Sequence, residues 1–140
     1  MPRSKTSTRG GSKLKSSLET YCYDRLKSEK IDFEYEHMFQ LTPSLSYPST
    51  YYKSKPKSKE MFSYQGKKIL PITYKPDFVS YKHKFIIETK GFVRANDSFP
   101  LRWKLFMGYL ISAGMSDFAL YIPKNREQVD FCINDIKKNI

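Results

Sequence analysis

The chain has little cysteine, little acid and no long apolar run. Its two cysteines, Cys22 and Cys132, fall on the apolar faces of expected helices and read as buried free thiols. No CxxC pair and no Cys/His cluster is present, which excludes the usual zinc-ligand spacings. His37 has no partner at ligand spacing and reads as a surface residue. No apolar run is long enough to cross a bilayer and no signal peptide is visible, so no membrane partner is expected and a reducing cytoplasm is the expected compartment. No internal repeat is visible. Acid is scarce as well: 14 Asp and Glu face 25 Lys and Arg, for a net charge of +11. Such a balance calls for an anionic partner. Nucleic acid is the natural one, because neutralised phosphates release counterions.

The 140 residues suffice for one domain with a modest core. Tyrosine and phenylalanine are plentiful, at 11 and 10 residues; some belong in the core and others could stack on bases. Residues 1–15 carry Arg3, Lys5, Arg9, Lys13 and Lys15 and no acid, with Gly, Ser and Thr between them. This reads as a flexible basic tail that lies along DNA phosphates or simply keeps the chain soluble. The rest, residues 16–140, reads as a single domain.

Ser16 opens a helix expected to run to about residue 28, with Leu14, Leu18, Cys22, Arg25 and Leu26 on one face. Ser16-Ser17-Leu18-Glu19 fits a capping box. That is one reading of Glu19; the other is a carboxylate leaning from the edge of the apolar face toward a site. Residues 31–41 open with a strand alternation: Ile31, Phe33 and Tyr35 on one side, Asp32, Glu34 and Glu36 on the other. From 42 to 60, three prolines and the alternating Lys53, Lys55, Lys57 and Lys59 read as a long basic loop that grips a phosphate backbone. Residues 61–64 and 68–74 flank Gln65-Gly66, read as a hairpin turn.

Residues 76–91, PDFVSYKHKFIIETKG, read as two short strands joined by a tight turn. Phe85-Ile86-Ile87 is apolar on both faces, as a covered central strand requires. Alternation sends Glu88 and Lys90 to one side and Thr89 to the other. Charged groups at the end of a buried strand need partners, and Asp77 lies on the neighbouring strand. Two carboxylates and a lysine at one sheet edge suit metal-dependent phosphodiester cleavage. Magnesium takes hard oxygen ligands; Asp77, Glu88 and the backbone carbonyl of Thr89 supply them. Lys90 is placed to orient an attacking water or to hold the developing oxyanion. An ordinary Glu88–Lys90 ion pair is the plain alternative.

After Gly91, Arg94 lies in a loop. A helix is expected over about 99–113, with Pro100 in its first turn, an apolar stripe of Trp103, Phe106, Met107, Leu110 and Ile111, and Gly114 at its end. Arg102 and Lys104 lie off the stripe, where they could meet DNA. Residues 117–122 read as a strand. The last helix carries Val129, Cys132, Ile133, Ile136 and Ile140 on one face. The order helix, strand, strand, strand, helix, strand, helix predicts an α/β sandwich around a mixed sheet, with a parallel crossover after Glu88.

This order and the PD…ETK signature resemble the restriction-endonuclease-like nuclease superfamily, with its α-β-β-β-α-β core. Within it the chain is most similar to the phage endonuclease I family of Holliday-junction-resolving enzymes. The likeness lies in the basic tail, SSLE, IDFEYE, YKPDF and ETKG, and covers roughly residues 12–36 and 74–91. It implies Glu19, Asp77 and Glu88 as active-site acids, Lys90 as their lysine, and two Mg²⁺ or Mn²⁺ ions per site. It also implies a homodimer with exchanged elements, in which Glu19 serves the partner's Asp77, and a host cytoplasm. Residues 42–70 are longer than the family's bridging segment. The activity implied is endonucleolytic cutting of branched DNA. A nicking, repair or restriction-type nuclease on duplex DNA, and a basic binding module without catalysis, are the alternatives.

Overall fold

The computed structural model describes residues 7–9, 12–14, 16–51, 55–91 and 97–140. In chain order the elements are β1 (Ser7–Arg9), β2 (Ser12–Leu14), α1 (Ser17–Ser28), β3 (Glu34–Tyr35), β4 (Phe39–Gln40), β5 (Leu45–Tyr51), β6 (Ser63–Ile69), β7 (Thr73–Tyr74), β8 (Phe78–Ser80), β9 (Phe85–Ile87), α2 (Phe99–Ser112), β10 (Ala119–Tyr121) and α3 (Arg126–Lys138). They fall into two compact units, Met1–Met38 with Lys75–Ile140, and Phe39–Tyr74, where composition suggests one domain over 16–140. Among the described residues no helix is long and apolar enough to cross a membrane.

In the first unit β1 and β2 pair antiparallel, with Ser7 opposite Leu14, so part of the basic tail has regular backbone structure. The Ser16 hydroxyl then accepts a hydrogen bond from the Glu19 amide at 3.1 Å and starts α1. Arg25 and Lys27 lie in the last turn, at the negative end of the helix dipole. The main sheet runs β10-β9-β8-β3. β3, β8 and β9 are antiparallel neighbours, and β10 lies parallel to β9, reached through α2. The architecture is therefore mixed α/β, with three helices and a mixed sheet. Every residue of β8 and β9 is buried, as the unbroken apolar run of β9 leads one to expect.

Phe78, Phe85 and Ile87 pack with Cys22, Tyr23 and Leu26 of α1 and with Val129, Ile133 and Ile136 of α3. Each fully buried large apolar side chain contributes about 1.5–3 kcal/mol. Phe33 joins this core edge-on, 5.3 Å from Tyr23 and 5.5 Å from Phe78. At its rim Asp130 of α3 accepts hydrogen bonds from the Tyr21 hydroxyl at 2.7 Å and from Arg25 Nε at 3.0 Å. Arg25, expected on the apolar face, thus serves as an ion-pair partner between helices.

α2 buries Phe99, Trp103, Phe106 and Leu110, but Ile111 is 69% exposed, so the apolar stripe is narrower than its spacing suggests. Asp97 Oδ1 accepts from the Phe99 amide at 2.8 Å at the start of the helix. At its end Gly114 adopts φ +75°, and the Met115 amide reaches back to the Leu110 carbonyl at 2.8 Å. Such a closure needs a left-handed residue, which glycine supplies without a Cβ clash. α3 is capped by Asn125, which accepts from the Gln128 amide at 2.8 Å. Val129, Cys132, Ile133 and Ile136 are buried on α3; Ile140 lies beyond the helix and is exposed.

The second unit corrects two expectations. Residues 45–51, inside the expected loop, form β5, which pairs antiparallel with β6 from Leu45–Ile69 to Tyr51–Ser63. β6 runs straight through Gln65-Gly66, which is therefore not a hairpin turn. Pro48 and Gly66 occupy the one position missing from this ladder. Proline has no N–H to donate, and Gly66 takes φ +62° opposite it. The two breakers face each other, so neither ends its strand. β4 and β7 form a second short ladder, with Phe39 opposite Tyr74.

Candidate active site

The hairpin of β8 and β9 sets the geometry. Its register places Phe78 opposite Ile87, so the next pair outward is Asp77 and Glu88. The flanking strands hold both backbones. The Glu36 amide donates to the Asp77 carbonyl at 3.0 Å on one flank. On the other, the Glu88 and Lys90 amides donate to the carbonyls of Tyr121 and Pro123, each at 3.0 Å. The extended backbone therefore continues past β9 to Lys90. Glu19 enters from the first turn of α1. All three acids are buried: Glu19 is 4% exposed, Asp77 8% and Glu88 8%.

Specific donors hold two of these carboxylates. Asp77 Oδ2 accepts from the Thr89 amide at 2.8 Å and from the Thr89 hydroxyl at 2.6 Å. Glu19 Oε2 accepts from the Tyr35 hydroxyl. The Glu19 amide thus takes part in the Ser16 cap, while its carboxylate accepts from Tyr35. Lys90 is half-buried, its Nζ standing 4.7 Å from the ring centroid of Phe99.

The acids feel one another. Burial first, then Glu88 and then Glu19, push the Asp77 carboxyl up from 3.8 to about 8, against the two Thr89 hydrogen bonds that pull it down. Glu19 thus acts on Asp77 of its own chain, whereas the resemblance implies the Asp77 of a partner. Burial also drives the Cys22 thiol well above its ordinary range, with smaller contributions from Cys132, Asp77 and Glu19, so this cysteine is an inert core group.

Among the described residues, no three His, Cys, Asp or Glu side chains are already set as a metal-binding group. The donor chemistry nevertheless fits a hard divalent cation: three buried carboxylates, all oxygen donors, with burial first and then the charges of Glu88 and Glu19 raising the Asp77 carboxyl. A cation between them would offset those charges.

No family model, curated protein or solved structure matches this chain.

Of the remaining sequence-derived residues, Lys55, Lys57 and Lys59 are exposed between β5 and β6, and Arg102 and Lys104 are exposed on α2. Arg9 lies on β1 and Lys13 on β2. Arg3, Lys5, Lys15, Lys53 and Arg94 lie outside the described residues. His37 is not a bare surface residue. Its Nδ1 is 3.1 Å from Glu34 Oε2, and its Nε2 is 3.1 Å from the Tyr81 hydroxyl. Sequence reasoning missed Tyr35, the Thr89 donors and Phe99. One signal was present for Tyr35: a tyrosine on the core side of an alternating strand needs a partner for its hydroxyl.

Proposed function

We propose that this chain is a metal-dependent DNA endonuclease with a restriction-endonuclease-like core, hydrolysing phosphodiester bonds in branched DNA. One observation carries the proposal: three acids, Glu19, Asp77 and Glu88, are all buried, and burial together with the charges of Glu88 and Glu19 pushes Asp77 up to about 8. A fold gains nothing from gathering buried like charges, and such perturbed groups cluster where chemistry is done. Glu19, Asp77 and Glu88 would hold Mg²⁺ or Mn²⁺. When bound, the metal acidifies water and neutralises charge on the phosphate. Thr89 anchors Asp77 by two hydrogen bonds. Lys90, two residues beyond Glu88 on the same extended segment, orients the attacking water or steadies charge developing on phosphate oxygen. The excess of lysine and arginine draws the polyanion in.

The element order of the first unit after β2, α1-β3-β8-β9-α2-β10-α3, supports the fold assignment. The branched substrate and the homodimer rest on the resemblance of SSLE, IDFEYE, YKPDF and ETKG. The deciding experiment offers a synthetic four-way junction and a matched duplex to the full chain with Mg²⁺, with Asp77→Asn as control. The junction is cut, the duplex is spared and the variant cuts neither. Equal cutting of the duplex transfers the proposal to a duplex nuclease. Binding in EDTA with no cutting under any divalent metal leaves a binding module.

A further inference from the structure

We infer that Tyr35 is a positioning residue that holds the Glu19 carboxylate in place for a divalent cation; this rests on reading Glu19, Asp77 and Glu88 as metal ligands. Glu19 stands on a helix, whereas Asp77 and Glu88 stand at strand ends. A glutamate has several rotatable bonds, and a ligand set assembled from two element types needs something to fix it. The Tyr35 hydroxyl makes that connection, donating to Glu19 Oε2 across 16 positions of sequence. The phenol is itself held. Its ring lies 5.9 Å from Tyr23, edge-on, and 5.6 Å from Phe78. Its backbone pairs with Phe78, the residue next to Asp77. Tyr35 therefore ties the helix-borne acid to the strand that carries Asp77. Thr89 does the same for Asp77 itself, with both of its donors on Oδ2. Donors to a ligating carboxylate set its orientation, and removing one typically lowers metal affinity about 10–100-fold.

A half-buried tyrosine that merely satisfies its own hydroxyl predicts something different: a loss of stability with metal affinity intact. Calorimetric titration of the full chain with Mn²⁺ and no DNA separates the two. Tyr35→Phe keeps the ring contacts, removes only the hydroxyl, and should bind Mn²⁺ about 10–100-fold more weakly. In a Glu19→Gln background the same change should have no further effect. Glu19→Asp, which draws the carboxylate back from the hydroxyl by one methylene, should reproduce the loss without touching Tyr35. Wild-type affinity in Tyr35→Phe overturns the inference while leaving the metal site standing. So does an undiminished loss in the Glu19→Gln background. If the wild-type chain binds no Mn²⁺, the metal-site reading falls, and the role of Tyr35 falls with it.

Discussion

Asp77→Asn should change how stability depends on pH, with a sign set by burial. In the folded chain the Asp77 carboxyl is pushed up from 3.8 to about 8, chiefly by burial and next by Glu88. A carboxyl raised in this way gives its full contribution to stability below its unfolded value, and that contribution disappears as pH rises through the folded one. In metal-free protein the loss therefore falls between about pH 4 and about pH 8. At about 1.4 kcal/mol per pH unit the interval corresponds to on the order of 5 kcal/mol. That figure includes burial and the charges of Glu88 and Glu19, all of which act on Asp77. Asparagine keeps an acceptor for the Thr89 amide and hydroxyl but cannot ionise. Thermal melts in chelator should show the wild-type chain losing stability from about pH 4 to about pH 8, the window between the two values, while the variant follows a flatter course and is the more stable at the upper end. Adding Mg²⁺ at the upper end should restore the wild type and leave the variant nearly unchanged. Parallel melting curves for the two proteins across this range would refute the argument.

Glu88→Gln should abolish cutting while DNA binding in EDTA stays equal or tightens, since a negative charge facing phosphate is removed; cleavage and mobility-shift assays on the same preparation check this. Ile133→Ala, at a position with no solvent exposure in the core between α1 and α3, should cost about 2–5 kcal/mol in urea unfolding. Deleting residues 1–15, with their five basic side chains, should weaken DNA binding and make its dependence on salt shallower.

Local chemistry made much of the first unit legible. Ser16 and Gly114 mark helix ends because a cap and a left-handed closure each demand a particular residue. Phe85-Ile86-Ile87 marks a covered strand because neither of its faces tolerates water. Asp77 and Glu88 could be paired in advance because a hairpin register follows from turn length. What escaped depended on contacts between distant residues. The bond from Tyr35 to Glu19 crosses from strand to helix, and no period of 2 or 3.6 residues reveals it. Ile111 and Ile140 fit their helical stripes but are exposed. The β5–β6 ladder was hidden because Pro48 and Gly66 each read as a strand breaker alone. Only their pairing across the ladder makes both tolerable.

The central claim is that the carboxylates of Asp77 and Glu88, with Glu19, share a divalent cation. Anomalous diffraction from crystals soaked in Mn²⁺ tests it most directly. The account predicts a manganese peak in contact with the Asp77 and Glu88 carboxylates, absent from Asp77→Asn crystals soaked in the same way. A peak found only elsewhere, or one that persists unchanged in the variant, would contradict it.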